Sequence, residues 1–143
     1  MATFLSTQMT DAAASPPKLI SHTQKGHVEI ACFDYTPPAT GEPAAGDNIQ
    51  LCKIPANVTV IETFLAWAAQ DAGATLSLGV TGTVAKYMAA QTMTSAGVKF
   101  GPTLVAEANL VTTAEETLIG TLATAGIAAT TGVLKGFVKF VGH

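Results

Sequence analysis

The longest patterned stretch of the chain is residues 46–67, GDNIQLCKIPANVTVIETFLAW. Ile49 and Leu51 alternate there with Asn48 and Gln50, and the run continues to Ile54. A period of two predicts a strand. Pro55 has no amide proton for a sheet ladder, so it ends the strand and makes a tight corner with Ala56 and Asn57. Residues 58–67 are rich in β-branched and aromatic side chains and predict a second strand. By alternation Val58, Val60, Phe64 and Ala66 share one face, and Ile61, Leu65 and Trp67 the other. A strand apolar on both faces is either bulged or covered twice. In so short a chain the second cover comes from outside the fold.

The same pattern organises the rest. Residues 27–33 predict a strand with Val28, Ile30 and Cys32 inward. Residues 34–47 hold three prolines and two glycines, and read as a surface loop. Residues 74–80 set Leu76, Leu78 and Val80 against Thr75 and Ser77; a turn at Asp71, Ala72 and Gly73 makes them the hairpin partner of 58–67. In 81–97, Val84, Tyr87 and Met88 have helical spacing, which predicts a turn or two of helix. Residues 98–100 form a short extended piece closed by Gly101 and Pro102, and 104–111 leave room for another. Residues 115–123 carry Leu118 and Leu122 on one face, and 124–132 are small-residue turn material. Residues 133–141 point Leu134, Val138 and Phe140 one way and Lys135 and Lys139 the other, the mark of a solvated or edge strand.

Seven or eight strands and little helix predict an all-β fold, an antiparallel β-sandwich. Jelly roll is preferred to immunoglobulin-like, because Trp67 follows both cysteines instead of lying between them. Cys32 and Cys52 fall in opposite phases, Cys32 inward, so they read as free thiols. Residues 1–25 have no period, and Pro16 and Pro17 favour extended backbone. The division is therefore an extended N-terminal arm at 1–25 and a sandwich domain at 26–143.

Composition changes the picture in one respect. Charged residues make up 12 % of the chain, about half the ~25 % usual for soluble domains. All seven basic side chains are lysines. So sparsely charged a surface is hidden by copies of itself or by a partner, and the arm is read as lying across a neighbour. The net charge is −3 and the lysines are scattered, which speaks against nucleic acid. Apolar runs such as FLAWAA are cut short by Gln70 and Asp71, so no membrane span is expected. The first residues lack the basic start and apolar centre of a signal peptide, which predicts synthesis and use in a cytoplasm.

Candidate chemistry is thin. His22, His27 and His143 have no partner at metal-ligand spacing, and Gly79 with Gly82 lacks the lysine of a phosphate loop. A sandwich hydrolase would need a carboxylate pair from Asp34, Glu42, Asp47, Asp71, Glu107, Glu115 and Glu116, but these fall mostly at strand ends and in loops. Asp47 with Asn48 reads as shaping a strand start. Glu62 interrupts an apolar strand, so it either meets solvent at a bulge or forms a salt bridge to a partner. Phe64, Trp67 and Tyr87 read as core or as interface anchors. The expectation is a protein that is not an enzyme, with no catalytic residue, no cofactor and no small-molecule substrate.

Residues 46–55, GDNIQLCKIP, with the Val-rich strand that follows and DAGATLSL at 71–78, resemble the cement or decoration proteins of tailed-bacteriophage capsids. TAEETLI at 113–119 and GVLKGFV at 132–138 extend the resemblance over most of 26–141. Asn57 stands where the family's corner has glycine, a place that asparagine tolerates at positive φ. The resemblance implies a jelly roll on the outside of a shell, bridging subunits of the major capsid protein, and a virion location. It also implies self-association as a dimer or trimer. Candidate contacts are Phe4, Leu5, Pro16 and Pro17 of the arm and Glu62, Phe64, Trp67 and Tyr87 of the domain. The alternative is a carbohydrate- or receptor-binding module of a fibre or tail.

Overall fold

In the computed structural model, residues 27–38, 40, 42–70, 73–101, 110–124, 127 and 133–142 are described. Among them run nine strands: β1 (Val28–Tyr35), β2 (Asn48–Ile54), β3 (Val58–Trp67), β4 (Thr75–Val80), β5 (Thr83–Thr92), β6 (Gly97–Gly101), β7 (Leu110–Val111), β8 (Glu116–Leu122) and β9 (Leu134–Gly142). The pairs nest: β1 with β9, β2 with β8, β3 with β6 and β7, β4 with β5, all antiparallel. One long ribbon is thus folded over into two sheets. The five-stranded sheet has the order β1-β9-β3-β6, with β7 also on β3; the four-stranded sheet has the order β2-β8-β4-β5. This is an antiparallel β-sandwich of jelly-roll type.

The Pro55 corner carries the chain from one sheet to the other. Asn57 takes φ of 58°, as an asparagine can. Thr112, fully buried, clamps the corner. Its hydroxyl donates to the Pro55 carbonyl at 2.7 Å and accepts from the Val58 N–H at 3.1 Å. Its backbone carbonyl accepts from the Asn57 N–H at 2.8 Å. Because β3 lies in the other sheet from β4, the two do not form the expected hairpin; β3 is flanked by β9 on one side and by β6 and β7 on the other.

The two-faced pattern of β3 is a bulge. Its register against β9 shifts between Val60 and Glu62. Two residues then oppose one, and the inward phase switches. Val58 and Val60 are buried before the shift, Thr63 and Leu65 after it. Phe64 and Ala66 therefore lie on the opposite face from Val58 and Val60, which corrects the simple alternation.

Other elements also differ from their sequence pattern. In β1 the inward residues are Ala31, Phe33 and Tyr35, while Val28, Ile30 and Cys32 are exposed. Alternation reports shared faces but not which face is inside. The cysteines do lie in opposite phases, but Cys52 is the one packed on the core. Residues 83–92 are strand instead of helix; register shifts against β4 place neighbouring Tyr87 and Met88 both in the core. β9 is not an edge but sits between β1 and β3. The arm, the turn residues Asp71 and Ala72, residues 104–109 and most of 124–132 lie outside the described residues.

The core fills the space between the sheets. Val60, Leu65, Leu134 and Val138 come from one sheet and Leu76, Leu78, Met88, Leu118 and Leu122 from the other, all fully buried. Asp47 shapes the start of β2 as expected: its carboxylate accepts from the Ala44 N–H at 2.8 Å, beside Gly46 at φ 90°.

Candidate functional site

The outward positions of the five-stranded sheet form four transverse rows. Register sets Val28 beside Val141, Thr59 and Val111; Ile30 beside Lys139 and Glu62; Cys32 beside Phe137, Phe64 and Phe100; and Asp34 beside Lys135, Ala66 and Val98. The third row is almost wholly aromatic. Phe64 stacks on Phe137 with centroids 5.2 Å apart and 20° between planes, and meets Phe100 at 4.9 Å and 50°. Val98, Phe100 and Val111 are each more than half exposed, as are Val28 and Ile30. So many exposed apolar side chains on one sheet face are uncommon on a solitary soluble domain.

The charges on this face are spent on each other. Lys139 donates to Glu62 at 3.1 Å, and Lys135 reaches Asp34 at 3.1 Å. Glu62 thus stands at the bulge, but its salt bridge is to its own sheet. The charges in these rows therefore sum to zero, with apolar side chains on either side of each ion pair. Beneath the aromatic row, Gly136 lets β9 lie close to its neighbours: a Cβ there would come within 2.1 Å of the Phe64 carbonyl oxygen and 2.5 Å of Phe33 Cζ.

Two shallow hollows flank the Lys135 stem. One, of about 480 Å³, is lined by Cys32, Asp34, Phe64 and Phe137; the other, of about 460 Å³, by Ala66, Trp67, Ala96 and Val98. Trp67 lies half-buried at the rim, its ring against Gly97 and its Nε1 donating to the Ser95 carbonyl at 2.9 Å.

Tyr87 does not join this surface. It is fully buried, and its hydroxyl donates to the Glu116 carboxylate, which also accepts from Lys86 at 2.5 Å. Burial first, then the bond to Glu116, raise the Tyr87 pKa. Phe4, Leu5, Pro16 and Pro17 lie outside the described residues. Of the candidate carboxylates, Asp34, Asp47, Glu115 and Glu116 each have a partner of their own, Glu115 with Lys53 at 3.1 Å. Among the described residues no three His, Cys, Asp or Glu side chains gather where a metal ion would be held.

Of the residues on this face and its rim, sequence reasoning named Glu62, Phe64 and Trp67 as candidate contacts and did not so name Val28, Ile30, Val98, Phe100, Val111 or Phe137. The signal for Val98 and Phe100 was present: they alternate around Lys99, but nothing local says that the strand's apolar side faces out.

No protein-family model matches the chain, and no curated protein matches it. Solved structures do. A chain of the cyanophage Pam1 capsid asymmetric unit aligns with a TM-score of 0.65 and 20 % identity, over 82 % of this chain and 86 % of that one. A chain of the capsid of Ralstonia phage GP4 aligns with a TM-score of 0.65 and 23 % identity, over 82 % of this chain and 84 % of that one. At these identities the likeness is one of fold: this chain has the sandwich found in those two phage capsids.

Proposed function

We propose that this protein is a non-enzymatic structural component of a phage virion, which binds the outer surface of the capsid and bridges neighbouring subunits of the major capsid protein. The observation that carries the reading is the neutral, aromatic-rich outer face of the five-stranded sheet, on a fold similar to chains of two phage capsids. Burying apolar surface is worth roughly 25 cal/mol per Å², so such a face supplies association energy without a charged partner. A protein that binds the assembled shell stabilises it by mass action. Self-association into dimers or trimers would add avidity through fixed geometry. The phenylalanine rings pack on one another across three strands, which fits an apolar protein surface better than a sugar ring.

The test is co-sedimentation with purified shells that lack the protein. The wild type is expected to saturate the shells, and Phe100→Asp and Val98→Asp to lose occupancy while keeping their unfolding midpoints. Wild-type protein that ignores shells and binds a glycan array would replace this reading with the fibre or tail module. Undiminished binding by both variants would move the contact off this face.

A further inference from the structure

We infer that the outer face of the five-stranded sheet is covered, in the free protein, by the same face of a second copy, packed sheet to sheet about a two-fold axis that runs along the strands between β3 and β9.

A two-fold contact needs a patch that complements itself, and the rows of this face do so about that axis. Rotation about it lays β9 over the partner's β3, and β1 over the partner's β6 and β7. Each row then faces its own copy, reversed end to end. In the second row Lys139 faces the partner's Glu62, and Glu62 faces the partner's Lys139. The ion pair within each sheet is 3.1 Å long and leaves both side chains about one-third exposed. Two such pairs, set head to tail, make a ring of four charges that alternate in sign. In the third row Phe137 faces the partner's Phe64, so the stacked rings of one copy meet those of the other. In the first row Val28 faces the partner's Val111. Asp34 and Lys135 occupy the last row and are each more than half exposed, so their charged heads stay in water.

The charges also select the axis. A two-fold axis along the rows would lay the second row on the third, with Lys139 and Glu62 over phenylalanine rings. That desolvates an ion pair and offers it no new opposite charge. Size agrees with a modest dimer. Four strands at ~4.8 Å and four rows at ~6.6 Å cover about 500 Å² on each copy. The pair then buries about 1,000 Å², where specific interfaces begin. Packed sheets keep their strands within about 30° of each other, as this axis allows.

The pairing deepens the shell reading and rests on it in one respect, that the same face meets the capsid; dimer and shell then compete for it. Any self-association that adds avidity on a shell would have to use another surface.

Sedimentation velocity of the purified chain over a range of concentrations tests the dimer. The wild type is expected to show a reversible monomer–dimer equilibrium with a Kd on the order of micromolar. Glu62→Lys sets like positive charges against each other, and Lys139→Glu like negative ones; each should weaken the dimer at least about tenfold. An equimolar mixture of the two variants should form a heterodimer at least about tenfold tighter than either variant alone. An ion pair that acts only within its own sheet would leave the mixture no tighter, and that result would overturn the arrangement. Undiminished dimers of both variants would overturn it too, by moving the contact to another surface. A wild type that stays monomeric up to about 0.1 mM would sink the dimer, and if it still sedimented with shells the capsid reading would stand. A dimer of the expected kind that ignores shells would do the reverse.

Discussion

The two outer faces of this sandwich are built by the same alternation and differ in nearly everything else. On the four-stranded sheet the outward positions include Asn48, Gln50, Lys53, Thr117 and Thr121, with Thr121 donating to Asn48 at 2.8 Å, together with Ser77 and Ile119, both of them buried. On the five-stranded sheet they include Val28, Ile30, Phe64, Val98, Phe100, Val111 and Phe137. Among the described residues, the exposed large hydrophobic side chains are Val28, Ile30, Ile61, Val84, Val98, Phe100 and Val111, and all but Val84 belong to the five-stranded sheet. Folding requires only the two inner faces to be apolar. An apolar outer face adds nothing to the core and raises the risk of aggregation, so its presence on one sheet alone points to an occupant there.

The contrast extends to the glycines at the middle of each sheet. Gly136 is hemmed in by the Phe64 backbone, which cannot yield, whereas a Cβ at Gly120 would meet the flexible end of Leu76 at 3.1 Å. The largest expected effect follows: Gly136→Ala should cost about 3 kcal/mol in urea unfolding and Gly120→Ala under about 1 kcal/mol. Equal costs would erase the distinction between the sheets. Next comes Tyr87→Phe, which removes a buried bond to a carboxylate and should cost about 2 kcal/mol in the same measurement. A Tyr87→Phe protein of unchanged midpoint would free that ring from its structural role.

The direct comparison of faces is smaller in energy. Phe100→Asp should weaken shell binding at least about tenfold, or 1.4 kcal/mol, while Gln50→Asp on the polar face leaves binding unchanged. Equal losses would mean that the two faces are not functionally distinct. The smallest effect at neutral pH is electrostatic. Both the Cys52 thiol and the Tyr87 hydroxyl have folded pKa values raised by burial. The unfolded chain loses these protons first, so the Cys52 contribution is complete below about pH 9 and is lost as pH rises through about 11, while that of Tyr87 declines from its ordinary value of 10.0 upward. The unfolding midpoint should fall over that window, and Cys52→Ser should flatten the fall. A midpoint that stays level from pH 8 to 11 would contradict the burial of both groups.

Much of the architecture was legible in the chain. The strands at 28–35, 48–54, 58–67, 75–80, 116–122 and 134–142 follow from alternation with Gly, Pro and Asn punctuation, and the Asn57 corner from the residue's tolerance of positive φ. The candidate site was half legible. Glu62 stood out because it interrupts the apolar run of β3 and Phe64 because it is aromatic, yet β3 changes phase through a bulge that only pairing with β9 reveals.

What the sequence determined by itself was periodicity: where strands run, where they stop, and which residues share a side. Which side turned inward, that β3 and β4 part into different sheets, and that Val28, Phe64, Phe100 and Phe137 meet in one apolar field were decided by tertiary structure. The reason is physical. A two-residue repeat is a local property of the backbone, whereas inside and outside exist only once distant strands have packed against each other.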